Sequence, residues 1–185
     1  MTSNRHHNYY QDNAVCFWTS SIVNAVPVLR SPTAARRLLE ILDYYRSRYG
    51  VRIIAYVIMP DHIHLALWAE EAAQVRKFLA QVLKRSSGEM AELCSKAADN
   101  GVEIAASWLK MFRDHAATGS RVRVWRERGR AFPVTDLPTL QEKLRYIHEN
   151  PVRKGLVERP EDWPFSSAAH YAGGQSAIPV DSVDW

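Results

Sequence analysis

Residues 15–19 and 22–29 are rich in valine, isoleucine and aromatic side chains and read as extended segments. Ser31-Pro32 then opens a helix, because proline in a first turn gives up an amide that has no partner there. Leu38, Leu42, Tyr45 and Tyr49 recur at helical spacing and Gly50 supplies a stop, which predicts a helix over residues 33–49. Residues 51–58 form a nearly continuous β-forming run. Met59-Pro60-Asp61 interrupts it, and residues 62–68 resume as a neighbouring strand. Val75, Phe78, Leu79, Val82 and Leu83 mark a second helix, weakened at Ser86-Ser87-Gly88, with more helix to about residue 115 and a break at Asn100-Gly101. Residues 121–134 alternate basic and apolar side chains around Gly129, which predicts a short hairpin. Leu137, Leu140, Leu144 and Ile147 define a last helix, closed by Asn150-Pro151, since a residue before proline is pushed out of the helical region. Strand and helix alternate along one unit. The fold class expected is α+β, a mixed or antiparallel sheet with helices packed on it.

Composition narrows the setting more than the chemistry. A length of 185 residues suits one domain, and 24 basic against 20 acidic side chains leave a formal charge of +4, which suits a nucleic-acid partner better than an acidic ligand-binding domain would. No apolar run approaches the roughly 20 residues that span a bilayer, and the polar first ten residues do not resemble a signal peptide. Cys16 and Cys94 are the two cysteines, without the spacing of a metal knuckle or redox pair. A cytoplasmic setting is expected, without a membrane or disulfide scaffold.

The most informative stretch is Met59-Pro60-Asp61-His62-Ile63-His64-Leu65-Ala66-Leu67. Alternation along a strand puts His62 and His64 on one face and Ile63, Leu65 and Leu67 on the other. Two imidazoles side by side are half of a divalent metal site; alternatively, they are polar residues on a solvated strand face. Three familiar metal sites fit poorly. An amidohydrolase barrel needs about 250 residues, a cupin-like site wants an earlier glutamate than Glu70, and a structural zinc site wants more Cys or His nearby. Asp61 either orients one of the histidines or simply forms the turn after Pro60.

The second stretch is Leu144-Arg145-Tyr146-Ile147-His148-Glu149-Asn150-Pro151-Val152-Arg153-Lys154-Gly155-Leu156-Val157. Tyr146 and Asn150 are one helical turn apart and face away from the stripe of Leu140, Leu144 and Ile147. Taken alone, the segment equally describes a surface tyrosine on a helix ended by Asn-Pro. His148 falls near the buried side and reads as a packing residue, and Glu149 as a solvated carboxylate.

Together the two stretches resemble the single-tyrosine HUH transposases, with the closest likeness to REP-associated tyrosine transposases. Residues 9–29 look like that family's opening strand region. Val124-Trp125 sits where a Val/Leu-Trp pair commonly precedes the tyrosine helix, and Trp163-Pro164-Phe165-Ser166-Ser167 looks like the family's tail. The segment between Lys84 and Arg121 is the least recognisable. The resemblance implies a ferredoxin-like or RRM-like sandwich with a mainly antiparallel central sheet. It implies a single catalytic domain over residues 1–158, with a helical insertion at about 85–120. Residues 159–185 would be a C-terminal tail packed on the domain or touching DNA. It further implies that His62 and His64 are metal ligands, that Asn150 completes the set, and that Tyr146 is the nucleophile. The cofactor would be Mg²⁺ or Mn²⁺, the latter better suited to imidazole. The partner would be single-stranded or hairpin DNA, and the enzyme a monomer or homodimer.

The chemistry is coherent. A tyrosine hydroxyl has an ordinary pKa near 10, so roughly one part in a thousand is phenolate at neutral pH, and attack on a phosphodiester needs help. Two neutral imidazoles and a carboxamide would leave a cation's positive charge available to the phosphate. Cleavage would give a 5′-phosphotyrosine and a free 3′-OH, and rejoining would need no nucleotide triphosphate. Arg121, Arg123, Arg126, Arg128 and Arg130 surround Trp125 and lead to Phe132, a pattern of cations and aromatics suited to a DNA strand or simply to a solvated hairpin with one core tryptophan. Arg145, Arg153 and Lys154 lie beside the expected nucleophile, whereas Arg36, Arg37, Arg46 and Arg48 read as a solvated helix face. The function expected is therefore a metal-dependent single-strand DNA transposase acting near palindromic sequences. The alternatives are a domesticated DNA-binding relative and an unrelated His-x-His hydrolase.

Overall fold

The computed structural model describes residues 9–116, 121–126 and 129–183. Four strands, β1 (Val15–Ser21), β2 (Arg52–Ile58), β3 (His62–Trp68) and β4 (Arg130–Val134), form an antiparallel sheet in the order β2-β3-β1-β4. That order is the one a ferredoxin-like sandwich requires. Helices α1 (Pro32–Tyr49) and α2 (Ala72–Asp99) cover one face, with α3 (Glu103–Asp114) folded back on α2; α4 (Leu137–Arg153) lies on the opposite face over β2 and β3. A short α5 (Ala168–Tyr171) belongs to the tail.

Period-two alternation sorts the strand side chains between two cores. Trp18, Tyr56, Ile63, Leu65 and Leu67 meet Leu38, Leu42, Phe78 and Val82 in the larger one. Val15, Phe17, Val57, Ala66 and Val134 meet Leu140 and Ile147 of α4 in the smaller. Helix ends follow local chemistry. The Ala34 amide donates to Ser31 Oγ at the start of α1, Gly50 ends it in the left-handed conformation (φ 62°), and the Thr139 amide donates to Asp136 Oδ1 at 2.8 Å to start α4.

The structure departs from the sequence pattern at four places. Residues 22–29 are not a strand. They form two 3-10 turns, with Asn24 and Ala25 at positive φ (52° and 53°) and only Ile22 bridged, to Trp125. Helix α2 runs straight through Ser86-Ser87-Gly88, because Ser86 Oγ donates to the Val82 carbonyl at 2.6 Å and Ser87 Oγ to the Leu83 carbonyl at 2.8 Å, so both hydroxyls are satisfied within the helix. Of the hairpin expected over residues 121–134, the described residues form one strand, β4, paired with β1, and residues 127 and 128 lie outside the described residues. Helix α4 passes Pro151 and ends at Arg153; proline there removes one amide but leaves the Pro151 carbonyl to accept from Leu156 at 2.9 Å.

The tail covers the open edge of β2. The Phe165 carbonyl accepts from the Ile58 amide at 2.8 Å, and Trp163 Nε1 donates to the Ile58 carbonyl at 2.9 Å. Asp181 accepts the Ile53 amide at 2.8 Å. Arg46, expected on a solvated face, is instead largely covered and forks onto Asp181 at 2.5 and 2.6 Å, clamping the tail to α1. Edge strands left bare invite unwanted pairing, and this one is occupied.

Gly129 enters β4 at φ 82°, and a Cβ there would lie 2.3 Å from Trp18 Nε1 and 2.6 Å from the Thr19 carbonyl oxygen. Neither the backbone nor a fully buried tryptophan yields easily. Gly129→Ala is expected to destabilise the fold by about 2 kcal/mol or more, read as a lower denaturant midpoint at unchanged slope.

Candidate active site

Strand β3 carries His62 and His64 on the α4 face, as its alternation dictates. Their rings stand 5.0 Å apart, edge to face. Register sets their neighbours: His64 lies opposite Thr19 of β1 and Val57 of β2, and His62 opposite Ser21. Asp61 both turns the chain and orients a ring, since its Oδ1 is 2.6 Å from His62 Nδ1. With that nitrogen donating to the carboxylate, Nε2 of His62 is the one left to bind something else.

His64 is buried, and its Nδ1 has no hydrogen-bond partner among the described residues. Burial, with the neighbouring His62 second, pushes its pKa down to about 3. It is therefore a neutral imidazole over the physiological range, the form that ligates metals. An orphaned buried nitrogen costs about 1–3 kcal/mol, and a group arriving from outside the protein would offset that cost.

Helix α4 brings Tyr146 to the same place. Its ring sits edge-on to His64 with centroids 5.2 Å apart, and 6.1 Å from Phe17. The side chain is 37% exposed, so the hydroxyl-bearing ring is braced on one side and open on the other. Arg153 Cζ lies 5.4 Å from the ring centroid, and its guanidinium also pairs with Glu149 Oε2 at 2.6 Å. Asn150, one turn on, is buried rather than turned away from the apolar stripe. At roughly 100° per residue it is rotated about 40° from Tyr146 toward Ile147, which carries it under the helix. Its Nδ2 donates to the Tyr146 carbonyl at 3.4 Å, leaving the Oδ1 lone pairs to accept a hydrogen bond or bind a cation. Among the described residues no three His, Cys, Asp or Glu side chains cluster as a metal site. The neutral side chains here that could hold a divalent cation are the two imidazoles, with the Asn150 carboxamide one turn from Tyr146 as a further candidate.

The arginine segment divides. Trp125 is not a stacking surface, because it is buried and its Nε1 donates to Ser86 Oγ at 2.8 Å. Arg123 donates from Nε to the Trp125 carbonyl at 3.1 Å and from Nη2 to the Arg126 carbonyl, so it holds its own loop. Arg126 and Arg130 line an open cavity of about 270 Å³ with Thr19, Ser20, Ser21 and Gly129. Thr19 pairs with His64 on one side and Arg130 on the other, so the cavity adjoins the histidines across one strand. Arg121, Arg145 and Lys154 are exposed, and Arg128 lies outside the described residues. Lys143, which no sequence pattern singled out, places its Nζ 5.5 Å from the Phe132 ring and 6.0 Å from Phe17. Its spacing of three from Tyr146 on a helix was the available signal.

His148 is a joint. Its ring nitrogen Nε2 is 2.8 Å from Ser167 Oγ, and that hydroxyl accepts the Tyr56 amide at 3.0 Å, tying α4 and the tail to β2. Burial pushes the His148 pKa down to about 4, below the ordinary value near 6.5. As pH falls the unfolded chain takes this proton first. The stability His148 contributes is whole above about pH 6.5 and is lost as pH falls through about 4, on the order of 3 kcal/mol in all. His64 acts in the same sense, so the check is a difference between melting curves: as pH falls from above 6.5 to about 4, the parent should lose about 3 kcal/mol of stability relative to His148→Gln. Parallel curves would assign the acid sensitivity elsewhere.

Comparison with known proteins agrees with the fold and the strand motif. Residues 22–127, more than half of the chain and including both histidines, match the family described as "Transposase IS200 like". A Haemophilus influenzae protein named as a REP-associated tyrosine transposase is 26% identical over 145 residues, covering 70% of each chain. The solved structure of a REP-associated tyrosine transposase bound to a REP hairpin superposes with a TM-score of 0.60 at 19% identity, covering 100% of this chain and 95% of that one. With both imidazoles inside the matched span and the same sandwich beneath them, this chain belongs to the IS200-like transposases.

Proposed function

We propose that this protein cleaves and rejoins single-stranded DNA near hairpin-forming sequences, with Tyr146 as nucleophile. The observation that carries the reading is the 5.2 Å approach of the Tyr146 ring to His64, which joins the helix and strand motifs within one chain of a transposase family. Hairpin DNA is the proposed substrate because the solved relative is bound to one. The cytoplasm, where such DNA is accessible, is the proposed compartment.

In the first step the Tyr146 oxygen attacks phosphorus, and the bond from phosphorus to the 3′ oxygen breaks. The phenol proton passes through solvent to the departing 3′ oxygen, leaving a 5′-phosphotyrosine and a 3′-OH. A second 3′-OH reverses the exchange and restores the tyrosine. His62, His64 and Asn150 would hold Mg²⁺ or Mn²⁺, which when bound supplies positive charge beside the phosphate. Phe17 and His64 brace the Tyr146 ring so that little orientation remains to be lost on attack. Arg126 and Arg130 receive the backbone beside the scissile group. Arg121, Arg145, Arg153 and Lys154 add exposed positive charge around it.

The test is a denaturing gel of the full chain incubated with hairpin DNA carrying single-stranded flanks and Mn²⁺. A label at the 3′ end should travel with the protein, and a label at the 5′ end should not. Binding without any adduct favours the DNA-binding alternative, and cut product without an adduct favours the hydrolase.

A further inference from the structure

Phe132 is a large aromatic side chain left 36% exposed on a sheet face where Val15, Phe17, Val57, Ala66 and Val134 are buried. It stands directly opposite Phe17 across the β1–β4 ladder, with ring centroids 5.0 Å apart. Phe17 in turn touches Tyr146 at 6.1 Å, so the three rings form a step from the proposed nucleophile to the open side of the sheet. Lys143 Nζ hangs 5.5 Å from the Phe132 ring, and Arg130, two residues back on the same face, lines the cavity with Arg126.

We propose that Phe132 is a positioning residue whose exposed ring stacks on an unpaired base of the DNA strand, with Lys143 and Arg130 meeting the phosphates on either side of it. The proposal rests on the reading of the site as a single-strand DNA enzyme. Two observations favour a base over another apolar occupant. The platform is one ring wide and rimmed by cations, which suits a flat group carried on a polyanion. Its distance from Tyr146, at most about 11 Å through Phe17 from the two contacts of 5.0 and 6.1 Å, is spanned by about three stacked nucleotides at roughly 3.4 Å each. Base stacking on an aromatic ring tolerates any sequence, so this contact would set where the strand lies rather than which base it carries.

The experiment measures binding of hairpin DNA with single-stranded flanks, using the full chain in a Tyr146→Phe background so that no strand is cut. Phe132→Ala and Phe132→Leu should each weaken binding about tenfold or more, and Phe132→Trp should restore it to within about threefold. Leucine keeps the packing on Phe17 and lacks the π face, so equal losses in both separate stacking from a folding defect. A scan of abasic nucleotides through the flanks should find one position that weakens the Phe132 protein and leaves Phe132→Leu unaffected. Unchanged affinity in Phe132→Leu, a penalty that is the same at every abasic position, or no binding of hairpin DNA by the Phe132 protein overturns the proposal. Because the readout is binding, failure to form an adduct in the unsubstituted protein would count against the nuclease reading without deciding this one.

Discussion

Tyr146→Phe is expected to abolish the covalent protein–DNA adduct and to lower strand cleavage by at least about a thousandfold. The substitution removes one oxygen and leaves the ring, so the edge-on contact with His64 and the contact with Phe17 persist. Folding should therefore be unaffected, and hairpin DNA should bind within about twofold of the parent. The measurement is single-turnover cleavage of a 3′-labelled hairpin with excess enzyme, alongside an equilibrium binding curve. Loss of cleavage together with loss of binding would mean that the hydroxyl had a different role. Cleavage at the parental rate would place the nucleophile on another group and leave the hydrolase reading standing.

The second large effect falls on His64, where function and stability are expected to pull apart. His64→Leu replaces a buried imidazole carrying an orphaned Nδ1 with an apolar side chain, among the apolar neighbours Phe17 and Tyr146. Removing that unsatisfied group should stabilise the metal-free protein by about 1 kcal/mol, a rise of roughly 2–4 °C in Tm for a chain of this size. Activity should vanish with it. The parent should gain thermal stability as Mn²⁺ is added, about 2.7 kcal/mol at a hundred times the dissociation constant, while His64→Leu should not respond. A parent indifferent to both Mn²⁺ and Mg²⁺, or a leucine variant that still cuts DNA, would remove the cation from the account. An active site that costs the fold stability is common where a polar group is buried for chemistry.

Much of this protein can be read from residue order, because strand and helix periodicities are local. Alternation in His62-Ile63-His64 places both imidazoles on one face whatever that face touches. Ser31-Pro32 and Gly50 mark the ends of α1 through hydrogen bonds within a few residues. The histidine stretch 59–67 and the tyrosine stretch 144–157, taken together, are enough to suggest the family to which the chain belongs.

Other features depended on which surfaces meet. Periodicity says that a helix has an apolar side, but not which face of the sheet will cover it. Only the docking of α4 over β2 and β3 brings Tyr146 to His64 and carries Asn150 below the surface. Trp125 reads as a candidate for stacking on DNA until Ser86 of a distant helix accepts its indole proton, and Arg46 reads as solvated until Asp181 of the tail arrives. Burial and hydrogen bonding are set by partners far along the chain, so they exist only once the layers have packed.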